Sequence, residues 1–252
     1  MTTSLIMSAI NEKIARSRAW SNPVFERSRR GPWSCEDARV IGFEYLAFTA
    51  AFPKMLSALC ARVDDDGMRA LLVEILHSEL GSGNPENAHA RLFVRLLASC
   101  LDAQEVTRAL AERPQGRLPS TRDFLRGLQA LYAEAPLSRA LGAQYALEFQ
   151  ADNMLESLSR GFHAMRLDER NLEFFRVHEV EEKDHIRLMQ IALQRLLHNG
   201  EDKEELMQGA QACTGLFSAF WHGIGEALAR ASPAAAPARG PSPDGMPAGP
   251  RN

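Results

Sequence analysis

From Ser34 onward the chain is divided by helix start and stop signals, and this punctuation constrains the fold more than any other feature. Ser34-Cys35-Glu36-Asp37 reads as a capping-box start for a long helix that reaches about Arg62 and bends at Pro53. Asp64-Asp65-Asp66-Gly67 reads as a turn, with a helix from Met68 to Gly81 behind it. Asn84-Pro85 offers a cap and then proline in the first helical position, which opens a helix through Leu101, and a shorter one reaches Glu112. Past a loop from Pro114 to Pro119, Ser120-Thr121-Arg122-Asp123 caps a helix to about Ala133, and Pro136 opens one to about Arg160. Asp168 caps a long helix ending at Asn199-Gly200, and a last one covers Asp202 to Arg230. Composition excludes the competing architectures. Val, Ile and Thr together supply 22 residues against 36 Ala and 31 Leu, which excludes an all-β fold and disfavours a parallel-sheet α/β one. The expectation is an all-α bundle of about seven to nine helices around one core, residues 1–230. A tail, 231–252, holds six prolines and three glycines without periodicity and is expected to be disordered.

A net charge of −3 gives no electrostatic basis for nucleic-acid binding. The one basic run, Arg27-Ser28-Arg29-Arg30, is short, lacks interleaved aromatics and reads as a solvated loop. Cys35, Cys60, Cys100 and Cys213 lie far apart and read as buried thiols in a reducing compartment. Met1 to Ile10 has no cationic lead or apolar core of a signal peptide. The longest apolar stretch, Tyr45 to Ala61, carries Pro53 and Lys54 in its middle, so no membrane span is expected. These features predict a cytoplasmic protein with neither nucleic acid nor membrane as partner, and they leave its oligomeric state open, with a homodimer as the default.

The strongest chemical signal is His178-x-x-x-Glu182-x-x-His185. Offsets of four and seven return to one helix face, and Phe174 and Met189 extend that face as an apolar stripe. Two imidazoles and a carboxylate inside such a stripe are costly unless something holds them, and a metal ion does. The competing reading takes residues 179–184 as a solvated charge run that happens to include histidines. One helix face supplies only part of a metal's ligands. Glu148 is the best upstream partner, mid-helix on a stripe with Leu141, Tyr145 and Leu155, and the alternative for it is a buried pair with an arginine. Asp152, one turn on, reads as a surface residue or an outer partner.

Two further pairs compete. Glu74 and His77, with Glu182 and His185, give two Glu-x-x-His pairs; adding Glu44 and Glu148 reproduces the ligand set of ferritin-like dimetal carboxylate bundles. Glu79 and His89 instead flank Gly81-Ser82-Gly83-Asn84-Pro85 and place one ligand at a helix end and one near the next helix start. Spacing alone leaves both open.

The stretch from Glu79 through Asn84-Pro85-Glu86-Asn87-Ala88-His89 to Phe93 resembles a hallmark of the haem-oxygenase-like dimetal oxidases and oxygenases, the iron-containing redox enzymes. Asn22-Pro23-Val24-Phe25, Phe43 to Pro53 and the His178–His185 motif are similar to that family as well, so the resemblance covers roughly residues 20 to 200. It implies a haem-oxygenase-like helical bundle in which Glu79, His89, Glu148, His178, Glu182 and His185 hold two iron ions, with Glu44 as an additional carboxylate in some members. Most members carry Asp where Glu182 stands, and the longer side chain changes how that carboxylate meets an iron. The resemblance also implies O2 as co-substrate and oxidation of an amine, amino acid or fatty acid, by N-oxygenation, desaturation or oxidative C–C cleavage in small-molecule biosynthesis. No catalytic side chain is assigned beyond the ligands, and Phe174, Tyr145 and Phe149 are expected to line the substrate space. Mixed imidazole and carboxylate ligands suit iron or manganese, and no thiolate is placed to select zinc. The alternatives are a ferritin-like or iron-binding protein and a non-catalytic helical scaffold. Haem is a poor fit, because no His precedes His77.

Overall fold

The computed structural model describes residues 3–112, 116–198 and 203–231, and among them it shows ten α-helices and no strand. Two helices precede those expected. α1 (Thr3–Ala15) buries Ile6, Ile10 and Ile14, one per turn. α2 (Pro23–Arg29) is opened by Asn22, whose side chain accepts from Val24 N at 3.1 Å and Phe25 N at 3.0 Å. The basic run read as a solvated loop is the last turn of this helix. Arg27 pairs with the buried carboxylate of Asp37 at 2.7 Å, and Ser28 is buried.

α3 (Cys35–Cys60) begins with the capping box: Ser34 Oγ accepts from Asp37 N at 3.0 Å, and Asp37 Oδ2 from Ser34 N at 2.8 Å. It runs on through Pro53. α4 (Asp66–Glu79) starts inside the expected turn, because Asp65 caps it by accepting from Met68 N at 2.7 Å. Asn84-Pro85 opens only a 3₁₀ turn, Pro85–Asn87. Ala88, at ψ 135, interrupts the path before α5 (His89–Cys100). α6 (Ala103–Glu112) and α7 (Pro119–Ala133) follow.

The start of α7 is not capped by Ser120, as its sequence suggests. Glu44, reaching over from α3, accepts from Arg117 N, Leu118 N and Thr121 Oγ1. α8 (Leu137–His163), a 3₁₀ turn at Glu169–Leu172 capped by Asp168, α9 (Glu173–His198) and α10 (Lys203–Ala231) complete the bundle. The Pro/Ala/Gly-rich tail lies outside the described residues beyond Ala231.

α8 is the axis of the structure, packed along α10 on one flank and α9 on another. The α8–α10 crossing is a backbone contact. A Cβ on Gly142 would meet Leu206 O at 2.0 Å, and one on Gly209 would meet Arg139 O at 1.8 Å. The core is one continuous cluster with an aromatic centre, where Tyr45 packs on Phe93 at 5.0 Å and on Trp221 at 5.9 Å between ring centroids. Cys60 and Cys213 are buried thiols as expected, whereas Cys35 is exposed. No helix among the described residues is long and apolar enough to cross a membrane.

Candidate metal centre

α9 carries three polar side chains on its buried face, His178, Glu182 and His185, each at most 5% exposed. Seven residues of helix span about 10 Å, so one face can serve two sites. The structure divides the motif accordingly. His178 joins Glu79 and His89 in one buried group, and Glu182 and His185 join Glu148 in a second. Within each group one ligand atom per residue lies within 4.8 Å of the others, a spacing fit for one ion.

The loop between α4 and α5 brings Glu79 and His89 face to face. Glu79 is the last residue of α4 and His89 the first of α5. Between them Gly81, Ser82 and Gly83 take φ of 88, 51 and 90, left-handed values that reverse the chain. A Cβ on Gly81 would lie 2.3 Å from Asn84 O, so the turn has no room for a side chain there. Glu148 is oriented from behind: Tyr132 OH donates to Gln144, and the Gln144 amide donates to Glu148 Oε1.

The outer nitrogens of the histidines are also occupied. His178 Nδ1 lies 2.6 Å from Phe174 O, His89 Nε2 lies 3.0 Å from Glu181 Oε2, and His185 Nε2 lies 3.2 Å from Ser78 Oγ. Ser78 Oγ in turn donates to Glu181 Oε2 at 2.5 Å. Glu181 and Ser78 therefore join a histidine of each group on their outer edges, an arrangement that fixes which ring nitrogen faces inward. Neither was singled out in the sequence. Glu181 reads there as part of a solvated charge run, yet it stands three residues after His178 and four before His185, on the same face.

Three inward atoms, by contrast, lack a hydrogen bond. His89 Nδ1, His185 Nδ1 and Glu182 Oε2 are buried without a hydrogen bond. His89 Nδ1 sits 3.0 Å from Glu79 Oε2 and His185 Nδ1 3.5 Å from Glu148 Oε2, but neither pair is aligned as a hydrogen bond. Buried N and O atoms gathered within 4.8 Å of one another and not aligned as hydrogen bonds fit a cation, and the mixed set fits iron or manganese.

Electrostatics show what the pocket does without an ion. Burial, then the Glu148 and Glu79 carboxylates, push Glu182 well above the usual carboxylate range. Burial opposes charge on His89, but Glu79 and Glu181 outweigh it and hold the imidazolium up to about 10. Burial and the charge on His89 press His178 down to about 3. Burial acts against charge on His185 too, but the Glu148 carboxylate outweighs it and raises His185. Burial of these groups without a compensating charge is expensive.

The remaining candidates fall away from the centre. Glu74 and His77 are exposed on the outer side of α4, so the ferritin-like set is not assembled. Glu44 is buried but committed to the start of α7. Asp152 is exposed. Of the expected lining residues, Phe174 packs on His178 at 4.2 Å between ring centroids. Tyr145 bonds Asn11 at 2.9 Å and Phe149 stacks on it, away from the centre. The apolar side of the centre is instead a small space of about 30 Å³ lined by Tyr45, Phe48, Phe52, Leu147, Met154 and Phe217.

Residues 44–217, which include all six clustered side chains, match the family model described as iron-containing redox enzyme. The chain is 23% identical to 4-chloro-allylglycine synthase of Streptantibioticus cattleyicolor over 215 residues, 85% of this chain and 80% of that one. It is 27% identical to 4-aminobenzoate synthase of Chlamydia pneumoniae over 203 residues, 80% and 87% of the two chains. A solved CADD-like protein of unknown function from Nostoc punctiforme superposes with a TM-score of 0.73 at 18% identity, covering 89% of this chain and 97% of that one. A Shewanella denitrificans domain of unknown function with a heme oxygenase-like fold gives 0.69 at 16% identity, covering 90% and 96%. The bundle is a haem-oxygenase-like fold.

Proposed function

Because the chain belongs to the iron-containing redox enzymes, we propose that it is a non-haem diiron oxidase or oxygenase that uses O2 to oxidise a small organic substrate in small-molecule biosynthesis. The observation that carries this reading is the pair of buried three-residue groups, in which His89 Nδ1, His185 Nδ1 and Glu182 Oε2 make no hydrogen bond. Glu79, His89 and His178 would hold one iron, and Glu148, Glu182 and His185 the other. Two bound ferrous ions would supply the electrons and open coordination positions that O2 reduction requires.

The chain's own residues do the rest. Glu181, Ser78 and the Phe174 carbonyl set the ring orientation of the three histidines, and Gln144 sets Glu148. Tyr45, Phe48 and Phe52 make one side of the centre apolar. The space beside the centre, about 30 Å³, has room for about one water-sized molecule and suits O2 rather than an organic substrate. Tyr45, held well above the ordinary phenol value by burial and then by Glu182, keeps its proton on its oxygen there. The two relatives are named as synthases of compounds carrying both nitrogen and a carboxylate, which supports a substrate of similar size. The test is O2 consumption by Fe(II)-loaded protein with a panel of small amines, amino acids and fatty acids. Uptake coupled to one class supports the proposal. Tight iron binding with no substrate-coupled uptake would favour an iron-holding protein, and absence of iron binding a scaffold.

A further inference from the structure

A second, larger space reaches the centre. A cleft of about 820 Å³ opens between α8 and α9 beside the Glu169–Leu172 turn, a volume in the range of organic-ligand sites. Leu155, Leu172 and Phe175 give it an apolar floor. Of the six clustered side chains only His178 and Glu182 line it, one from each group. A molecule in the cleft therefore meets both halves of the centre. Glu182 is 4% exposed and belongs to one of the two three-residue groups, so the inner end of the cleft abuts the candidate centre itself.

The walls are charged, but unevenly. Arg160 is taken by Glu156 at 2.6 Å and Arg176 by Glu173 at 2.5 Å. Asp152, Glu169 and Glu179 line the cleft without an ion pair among the described residues, and so does one cation, Lys183. Three carboxylates against one ammonium favour a cationic guest, and the lone lysine allows that guest one carboxylate. A fatty acid fits poorly: its carboxylate would face three like charges, and its chain would cross a polar rim.

We propose that this cleft is the organic-substrate site and that it selects a small amino acid, its ammonium group on Asp152 and its carboxylate on Lys183, over an apolar floor that leads to His178 and Glu182. The proposal rests on the dimetal reading, since the two ligands at its inner end are what make the cleft productive. The probes are n-hexylamine, hexanoate and 6-aminohexanoate, titrated anaerobically by ligand-observed NMR against Fe(II)-loaded protein, with iron content measured on the same samples. The amine and the amino acid are expected to bind at least tenfold more tightly than hexanoate. Asp152→Asn should weaken both nitrogen-bearing probes about tenfold, the scale of one charge-assisted contact. Lys183→Ala should weaken 6-aminohexanoate and leave n-hexylamine unchanged. Both residues are exposed, and circular dichroism checks that the variants fold. Equal or tighter binding of hexanoate, or amine binding indifferent to Asp152→Asn, overturns the proposal. Amine selectivity without iron would overturn the dimetal reading instead, and two irons without selectivity would overturn only the cleft.

Discussion

Glu44 gives the clearest separation of structure from chemistry, because the family resemblance makes it a possible ligand and the fold makes it a helix cap. Its carboxylate is 2% exposed and accepts from Arg117 N at 2.9 Å, Leu118 N at 3.1 Å and Thr121 Oγ1 at 2.5 Å. Hydrogen bonds to a charged group contribute about 1.5–3 kcal/mol each, and losing their acceptor strands two backbone donors at the start of α7. Water entering the space left by Glu44→Ala recovers part of this, so the expected loss is about 3–5 kcal/mol. For a chain of this length that corresponds to a fall of roughly 10 °C or more in melting temperature. Glu44→Gln keeps an acceptor oxygen but loses the charge and should fall between. Thermal unfolding of the metal-free variants reads the loss, and iron stoichiometry below the new midpoint should stay that of the wild type. A Glu44→Ala protein that melts normally yet loses one iron would refute the cap assignment and return Glu44 to the metal.

His89→Ala should lose tight binding of one iron while His77→Ala, altered on an exposed face, keeps both, as metal analysis of the two purified variants will show. Glu181→Ala should weaken metal binding 10–100-fold, and because Ser78 carries its contact across to His185, competition titration should find both sites affected rather than one. Iron loading near pH 7 should release protons, since His89 is held at about 10 and Glu182 is pushed well up, and ligands must shed them; affinity should therefore rise with pH, which calorimetry in buffers of different ionisation enthalpy measures. His178 adds a stability effect of opposite reach. Its folded value near 3 lies below its unfolded one near 6.5, so its contribution to metal-free stability is complete above 6.5 and lost as pH falls toward 3.

Much of the bundle is legible from local rules. Ser34 and Asp37 form the capping box their spacing announces, and the starts of α8 and α10 fall close to where the signals put them. Errors arise where a local signal is overruled or passed over. Asn22-Pro23 carries the same signature as Asn84-Pro85, yet the first opens a helix and the second only a 3₁₀ turn, because the left-handed Gly81–Gly83 bend and Ala88 redirect the chain. The cap of α7 is invisible locally, since it comes from 73 residues upstream. The choice between the Glu74–His77 and Glu79–His89 pairs was in fact written in α4. Its buried residues Met68, Leu72, Ile75 and Glu79 follow one another at four, three and four residues, so Glu79 continues the apolar stripe and Glu74 and His77 fall off it. Glu181 illustrates the reverse case, a contact to the buried His89 and to Ser78 hidden within a run of charges. The division of one motif between two groups is a tertiary property that no spacing along α9 contains.

The most direct test of the account is an anaerobic Fe(II) titration of the full chain, read by metal analysis and Mössbauer spectroscopy, on the wild type and on His178→Ala and Glu182→Ala. Two irons per chain in nitrogen–oxygen coordination are expected for the wild type. Each variant should stay folded and lose the dinuclear site, the first through the Glu79–His89 group and the second through the Glu148–His185 group. A folded wild-type protein that binds no iron, or variants that both retain two, would contradict the dimetal centre.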